Sequence, residues 1–434
     1  MDATTGRRSV SRHRFWLAGV LASALVLATA LPVWGARART VLISKTSAGE
    51  PATDADSNNP SVSASGRYVA FDSRADNLPG GNVNDQVYVH DRKTEKTRFV
   101  GKTSAGEPAV NCSRPAISAS GRFVVFQSNA QNLPGDDTTT DVFIRDRKTG
   151  KTRLISKTSG ADPADGDSHN ASISASGRYV AFDSDAANLP GGASPFPLIY
   201  VHDRKTGKTR LASKTSDGVP AEGGQSVGPL ISARGRHIGF ESNATNLGGD
   251  NAYTDTFVHD RKSGRTRLIS RNSAGEPATG GDSYGGWLSA SGRYVGFESG
   301  ATNLPGDASL FDVYIRDLKT GKTRLVSKTS DGSPATGGGS SHAQLSASGR
   351  YVAFFSGATN LPGDDGWRDV YVRDLKTGKT KLMSKTSGGQ PATGGDSFRP
   401  ALAASGRVVA FPSEATNLPG AAGFMQIYAR GPLH

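Results

Sequence analysis

Seven times along the chain the tripeptide Ser-Gly-Arg or a near copy returns, with its glycine at Gly66, Gly121, Gly177, Gly235, Gly292, Gly349 and Gly406. The intervals are 55, 56, 58, 57, 57 and 57 residues. A fixed period of this length means one supersecondary unit copied head to tail, each burying its apolar face on the next. Residues that recur in every copy serve the frame, so function is to be sought where the copies differ.

Each unit reads as four short strands. The stretch Arg178 to Phe182 is apolar on both faces, as in a strand sandwiched between neighbouring sheets. Its fourth position holds only small or slender residues (Ala70, Val125, Ala181, Gly239, Gly296, Ala353, Ala410), which implies close approach of adjacent sheets. A short strand such as Ala116 to Ser118 precedes it, and the Ser-Gly-Arg glycine makes the reversal between them because it tolerates positive φ. A third strand follows, typified by Asp369 to Arg373, then a Lys-Thr-Gly-Lys turn and a fourth strand such as Thr323 to Ser327. In the first unit Glu95 replaces the turn glycine, at a cost of about 1 kcal/mol if the site is left-handed.

Four antiparallel strands per unit, repeated without helices, favour a β-propeller over a solenoid. A Lys-Thr-Ser-x-Gly-x-Pro-Ala motif also occurs seven times in exact or variant form, and its first copy, Lys45 to Ala52, precedes the first Ser-Gly-Arg. The chain therefore opens with an orphan fourth strand, Thr40 to Thr46, while its last unit stops after the third strand, Gln426 to Arg430. Pairing the two closes a ring and removes a loose edge. The expected fold is all-β, a seven-bladed propeller over residues 39–434 with its N-terminal strand completing the C-terminal blade.

Residues 1–38 stand outside the repeat. Arg7, Arg8, Arg12 and Arg14 precede an uncharged run from Phe15 to Leu31, and Ala36-Arg37-Ala38 fits a small-x-small cleavage site. This reads as a secretory signal peptide, with an uncleaved N-terminal anchor as the alternative. No second hydrophobic span follows, so the rest of the chain is expected to be secreted or extracytoplasmic; a monomer is the expected state. One cysteine excludes an intramolecular disulfide framework. Cys112 sits where the other units carry Ser57, Ser168, Ser226, Ser283, Ser340 and Ser397, and reads as a small-residue exchange rather than a nucleophile.

The unit Ser-x-Ser-Gly-Arg-(Tyr/Phe)-Val-Ala-Phe, followed by Asp-Val-(Tyr/Phe)-(Val/Ile)-Arg-Asp and Lys-Thr-Gly-Lys, resembles the WD-like propeller repeat of TolB-type proteins over nearly all of residues 40–430. Two departures matter: Ala-Ser replaces the family's Pro-Asp before the glycine, and the accompanying α/β domain is absent. The resemblance implies a periplasmic or secreted binding propeller. It also brings in related propellers that are lyases using mouth histidines and a metal.

With antiparallel strands, the tight turns share one face and the longer connections, such as Ser213 to Pro229 and Ser242 to Asp255, share the other. Long loops on a rigid frame are where binding usually resides. The sevenfold Asn77, Asn132, Asn188, Asn246, Asn303, Asn360 and Asn417 read as loop-capping frame residues. The positions that differ just before the innermost strand are Asn59, Arg114, His169, Asn170, Tyr284, His342, Phe398 and Arg399. They are expected to ring the mouth of the central channel and to suit a polar or anionic ligand.

His90, His202 and His259 occupy the same third-strand position as Arg145, Arg316 and Arg373 and read as strand-surface residues, while His237 replaces an aromatic and reads as packed. Asp136/Asp141, Asp250/Asp255, Asp307/Asp312 and Asp364/Asp369 recur as Asp-x4-Asp in loops and are the candidate Ca²⁺ ligands. No His-Glu-x-x-His pattern accompanies them.

Removing residues 1–38 leaves 46 basic and 38 acidic residues. The six third-to-fourth-strand hairpins (91–98, 146–153, 203–210, 260–267, 317–324, 374–381) carry +15, and the remainder is about −7. This basic belt offers weak binding to polyanions, although lysine and arginine also guard outer strands against edge pairing. The leading expectation is a non-enzymatic binding or scaffold propeller that recognises a protein or a cell-envelope polysaccharide on its long-loop face. The alternative is a carbohydrate-active hydrolase or lyase with His169, His342 and Arg114 or Arg399 at the channel mouth; Asp-box sialidase motifs are missing.

Overall fold

The computed structural model describes residues 38–433 except 81–83, 136–137, 193, 250–251 and 307–309. The leader assignment falls on residues 1–38 and lies, but for its last residue, outside them. Seven four-stranded antiparallel sheets follow one another, six built from consecutive strands and the seventh completed by the chain's first strand. In blade one the strands are Ser57–Val62, Tyr68–Ser73, Gln86–Asp91 and Lys96–Phe99, running from the channel outward. The seam pairs Arg39–Leu42 with Gln426–Gly431, Thr40 lying opposite Arg430 and Leu42 opposite Tyr428. The seven-bladed ring and its closure are as the repeat predicts. Among the described residues no helix is long and apolar enough to cross a membrane.

The core lies between blades. Ala70 and Val89 of blade one pack with Val124, Phe126 and Phe143 of blade two, and further clusters of buried aliphatic and aromatic residues follow around the ring. Small side chains at the third residue of the second strand permit the approach: a Cβ on Gly239 would stand 2.1 Å from the Gly286 carbonyl oxygen of the next blade.

The Ser-Gly-Arg turn has two reasons for its glycine. Gly121 has φ 74°, and a Cβ there would lie 2.1 Å from Tyr68 Cδ2 of the preceding blade. The adjoining arginine makes a fork to the aspartate that ends the third strand, as in Arg122 Nε and NH2 to Asp146 at 2.8 and 2.6 Å. This pair recurs in blades one to six; in the seventh, Gly431 takes the aspartate's place. Glu95 adopts the expected left-handed conformation, φ 56°, and pairs with Lys45 at 2.6 Å.

A second belt joins the outer strands. Each Lys-Thr-Ser loop folds back on itself, bridged as in Lys102 to Pro108, and docks on the next blade's fourth strand. Thr152 Oγ1 donates to the Lys102 carbonyl at 2.6 Å, and Thr152 N–H donates to Ser104 Oγ at 2.9 Å. At the seam Thr40 meets Ser387 in the same way. Part of each connection from a fourth strand to the next innermost strand is therefore frame rather than free loop.

That belt corrects the reading of the third-strand histidines. His90, His202 and His259 are buried, not on the strand surface, and each ring Nδ1 meets the next strand's threonine, Thr97, Thr209 or Thr266. In the other blades an arginine fills the place: Arg145 NH1 donates to Lys102 O, Thr103 O and Thr152 Oγ1. Part of the hairpin charge is likewise structural, since Arg147 reaches the Gly121 carbonyl and lies 4.7 Å from the Tyr68 ring. His237 is packed, with its side chain 15% exposed. The seven loop asparagines bond as expected, Asn77 Nδ2 donating to the Pro51 carbonyl at 2.8 Å while its Oδ1 accepts from Thr53 N–H. Cys112 is fully buried, and burial pushes its thiol up to about 12.

Candidate functional site

The innermost strands of blades one to six shift register after their first residues. In blade one Asn58 stands opposite Asp72, but the next paired residue, Ser61, stands opposite Ala70. A β-bulge of this kind re-aims a side chain. At its centre, and at the matching place in blade seven, the backbone is left-handed: Asn59 (φ 49°), Arg114 (50°), Asn170 (51°), Gly228 (64°), Gly285 (99°), His342 (55°) and Arg399 (29°). Five of the seven are not glycine. Each such residue costs about 1 kcal/mol or more and persists only where its surroundings hold it.

What holds it comes from the preceding blade. The penultimate residue of the second strand accepts the bulge N–H: Arg114 N–H to Asp72 Oδ2 at 2.8 Å, Asn170 N–H to Gln127 Oε1 at 3.3 Å and Gly228 N–H to Asp183 Oδ2 at 2.9 Å. Gly285 N–H reaches Glu241 Oε1 at 2.7 Å, and His342 N–H reaches Glu298 Oε2. Blades six and seven carry Phe355 and Pro412 there, so the ring of acceptors is broken in one sector.

Burial disfavours charge on these acceptors. It raises Asp72 and Asp183, against which Asn59 and Asn170 each donate an Nδ2–H at 2.9 Å, and it pushes Glu241 and Glu298 up to about 7.

The bulges send side chains into one central cavity of about 460 Å³, lined from all seven blades. Asn59, Arg114, Asn170, His342 and Arg399 line it, with Glu241 and Trp287. The other three expected mouth residues do not. All three sit one residue before the bulge position: His169 and Tyr284 lie within the innermost strand rather than ahead of it, and Phe398 lies between the Ser397 bridge and the strand Ala401–Leu402. His169 pairs opposite Asp183, Tyr284 stacks on Phe311 at 5.7 Å, and Phe398 meets Phe355 edge-on at 6.3 Å. The structure thus does not bring His169 and His342 into one lining.

His342 lies between Trp287 (5.9 Å) and Phe355 (5.7 Å). Burial and the nearby Arg399 charge lower it to about 4, so it is a neutral imidazole at neutral pH, with Nδ1 buried and unbonded. Arg114 and Arg399 are exposed at the rim, and the Arg114 guanidinium donates to Asn170 Oδ1. Two guanidinium groups, two amides and a neutral imidazole on a strained, rigid ring make a donor-rich mouth suited to a polar or anionic group.

One member of each acidic loop pair serves the frame. Asp136, Asp250 and Asp307 lie outside the described residues, and Asp364 is exposed. Asp141, Asp255, Asp312 and Asp369 are buried and accept from Ser156, Ser270, Ser327 and Ser384, which tie the third strand to the fourth. Among the described residues no group of three or more His, Cys, Asp or Glu is placed to hold a metal.

The acceptor ring of Asp72, Gln127, Asp183, Glu241 and Glu298 is not among the residues expected from the sequence. Its signal is the x in Tyr-Val-Ala-Phe-x-Ser, a polar residue at a position that a two-sided buried strand should make apolar.

No family model and no curated protein matches the chain. Solved structures do. The β-propeller domain of the trilobed protease from Pyrococcus furiosus, described as having an open velcro topology, matches with a TM-score of 0.56 and 12% identity, over 87% of this chain and 94% of that one. An oligogalacturonate lyase in complex with manganese matches with a TM-score of 0.55 and 11% identity, over 91% and 90%. TolB from Acinetobacter baumannii also matches, with a TM-score of 0.41 and 12% identity over 85% and 81%. At these identities the likeness is one of fold alone, shared with the propeller domain of a protease and with a lyase.

Proposed function

We propose that the chain is an exported, non-enzymatic binding propeller that engages a protein or a cell-envelope glycan on its long-loop face. The observation that carries this reading is the ring of left-handed bulges. The protein sustains backbone strain at five non-glycine positions to aim Asn59, Arg114, Asn170, His342 and Arg399 into one cavity. Strain kept at side chains that do not repeat, on a frame that otherwise repeats, is the mark of a site. Export rests on the leader-like residues 1–38.

The enzyme alternative has one supporting observation: Glu241, raised to about 7, lines the same cavity. Its Oε1 is occupied by the Gly285 N–H, which favours a positioning role. Retention of the purified protein on isolated cell-envelope polysaccharide and on envelope proteins tests the proposal, beside an activity screen on the same material. Binding without turnover, lost in Arg114→Ala/Arg399→Ala, supports it. Turnover abolished by Glu241→Gln supports the enzyme instead.

A further inference from the structure

Among the described residues six large apolar side chains are exposed, and four of them occupy one repeat position, two residues before the third strand. They are Phe196 (39%), Tyr253 (37%), Trp367 (44%) and Phe424 (41%). The half-buried Leu310 fills the same place in blade five, while blades one and two hold Asn84 and Thr139. The long-loop face thus carries an apolar arc across five consecutive blades. Exposed aromatics cost solubility and add nothing to a core, so a series at one register calls for an occupant.

Three of these aromatics stand beside a carboxylate. The aspartate before the next innermost strand accepts the N–H of the residue that follows the aromatic: Thr254 to Asp282, Arg368 to Asp396 and Met425 to Asp56, each at 2.8 Å. These bonds fix the loops carrying Tyr253, Trp367 and Phe424. Beside Trp367 a groove of about 780 Å³ is lined by Phe311, Phe355, Arg368 and Asp396; beside Phe424 one of about 510 Å³ is lined by Asp56, Asn58, Asp85 and Arg114. Arg114 joins the second groove to the channel mouth.

A flat apolar face next to fixed carboxylate and guanidinium groups matches a pyranose ring, whose C–H face is apolar and whose hydroxyls point outward from its edge. A protein hot spot is a water-excluded pocket; these grooves are open and carry polar groups of both signs. A series of such faces at one register of successive blades suits a polymer rather than a single sugar. We propose that the arc binds a polysaccharide chain with its pyranose rings on Tyr253, Trp367 and Phe424, an inference that rests on the binding reading above and names its ligand class.

Affinity electrophoresis through gels containing soluble β-glucan, xylan, galactomannan or polygalacturonate tests this, using the wild type, Tyr253→Ala/Trp367→Ala/Phe424→Ala, and Arg114→Ala/Arg399→Ala. Retardation by at least one polymer, weakened about tenfold or more in the aromatic variant and steady between about 0.05 and 0.5 M salt, is expected, because stacking is not screened. Quenching of Trp367 fluorescence by the same polymer is expected in parallel, and the single Trp367→Ala variant serves if the triple variant does not fold. No retardation, retention undiminished in the aromatic variant, or capture of a protein ligand alone overturns the arc. Loss in the arginine variant with none in the aromatic variant overturns the arc and leaves the mouth reading standing. Insensitivity of every polymer and protein ligand to both variants removes the binding face altogether.

Discussion

The backbone N–H of Gly285 in blade five donates to Oε1 of Glu241 in blade four at 2.7 Å. The contact recurs between four other neighbouring blade pairs, so blades one to five each set the conformation of the next blade's channel-facing residue. The mouth is a property of the closed ring and not of any one blade.

This coupling makes stability depend on pH in a defined direction. Glu241 and Glu298 sit near 7 in the folded state, against an ordinary value of about 4.5, so the folded protein holds their protons more tightly than the unfolded chain. The stabilisation they give is complete below about 4.5 and is lost as pH rises through about 7. Glu241→Gln/Glu298→Gln, which cannot ionise, should gain on the wild type by on the order of 5 kcal/mol between pH 5 and pH 8, about half from each carboxylate. Urea melts of both proteins at the two pH values measure the difference. A constant difference would show that the carboxylates stay charged throughout.

Gly121→Ala should lower stability by about 2–4 kcal/mol, combining left-handed strain with overpacking against Tyr68. Gly49→Ala has similar strain, φ 100°, but open space around its Cβ, and should cost only about 1 kcal/mol. Thermal melts of the pair separate the packing cost from the conformational one.

Gln426 closes the ring. Its Nε2 donates to the Ala52 carbonyl at 2.9 Å and its Oε1 accepts from Ser44 Oγ at 2.6 Å, all of it buried. Gln426→Ala leaves the Ala52 carbonyl unsatisfied and should cost about 1–3 kcal/mol. Hydrogen exchange should show the loss as earlier opening of Arg39–Leu42 than of the other outer strands.

How much of this could be read from the chain divides along the repeat. Blade number, closure by Thr40 to Thr46, the left-handed Glu95 and the loop role of Asn77 all follow from local rules applied to a copied unit. The Arg122–Asp146 fork and the Thr152–Lys102 belt did not, because their partners come together only through sheet and ring geometry. Of the eight expected mouth residues five line the channel, and the bulge that decides between Asn170 and His169 leaves no signature in a strand-period pattern. His90 is buried against expectation for a related reason: a third-strand residue looks solvent-facing until the neighbouring loop folds over it.

The central claim is that repeated residues hold the frame and unrepeated ones at the mouth bind. Its most direct measurement pairs melting temperature with retention on isolated cell-envelope polysaccharide for Arg114→Ala/Arg399→Ala and for Asn360→Ala, which loses bonds to the Pro334 carbonyl and the Thr336 N–H. The arginine variant should keep its melting temperature within about 2 °C and lose retention, while the asparagine variant should melt several degrees lower and retain it. An arginine variant that melts early yet binds as well as the wild type would contradict the account.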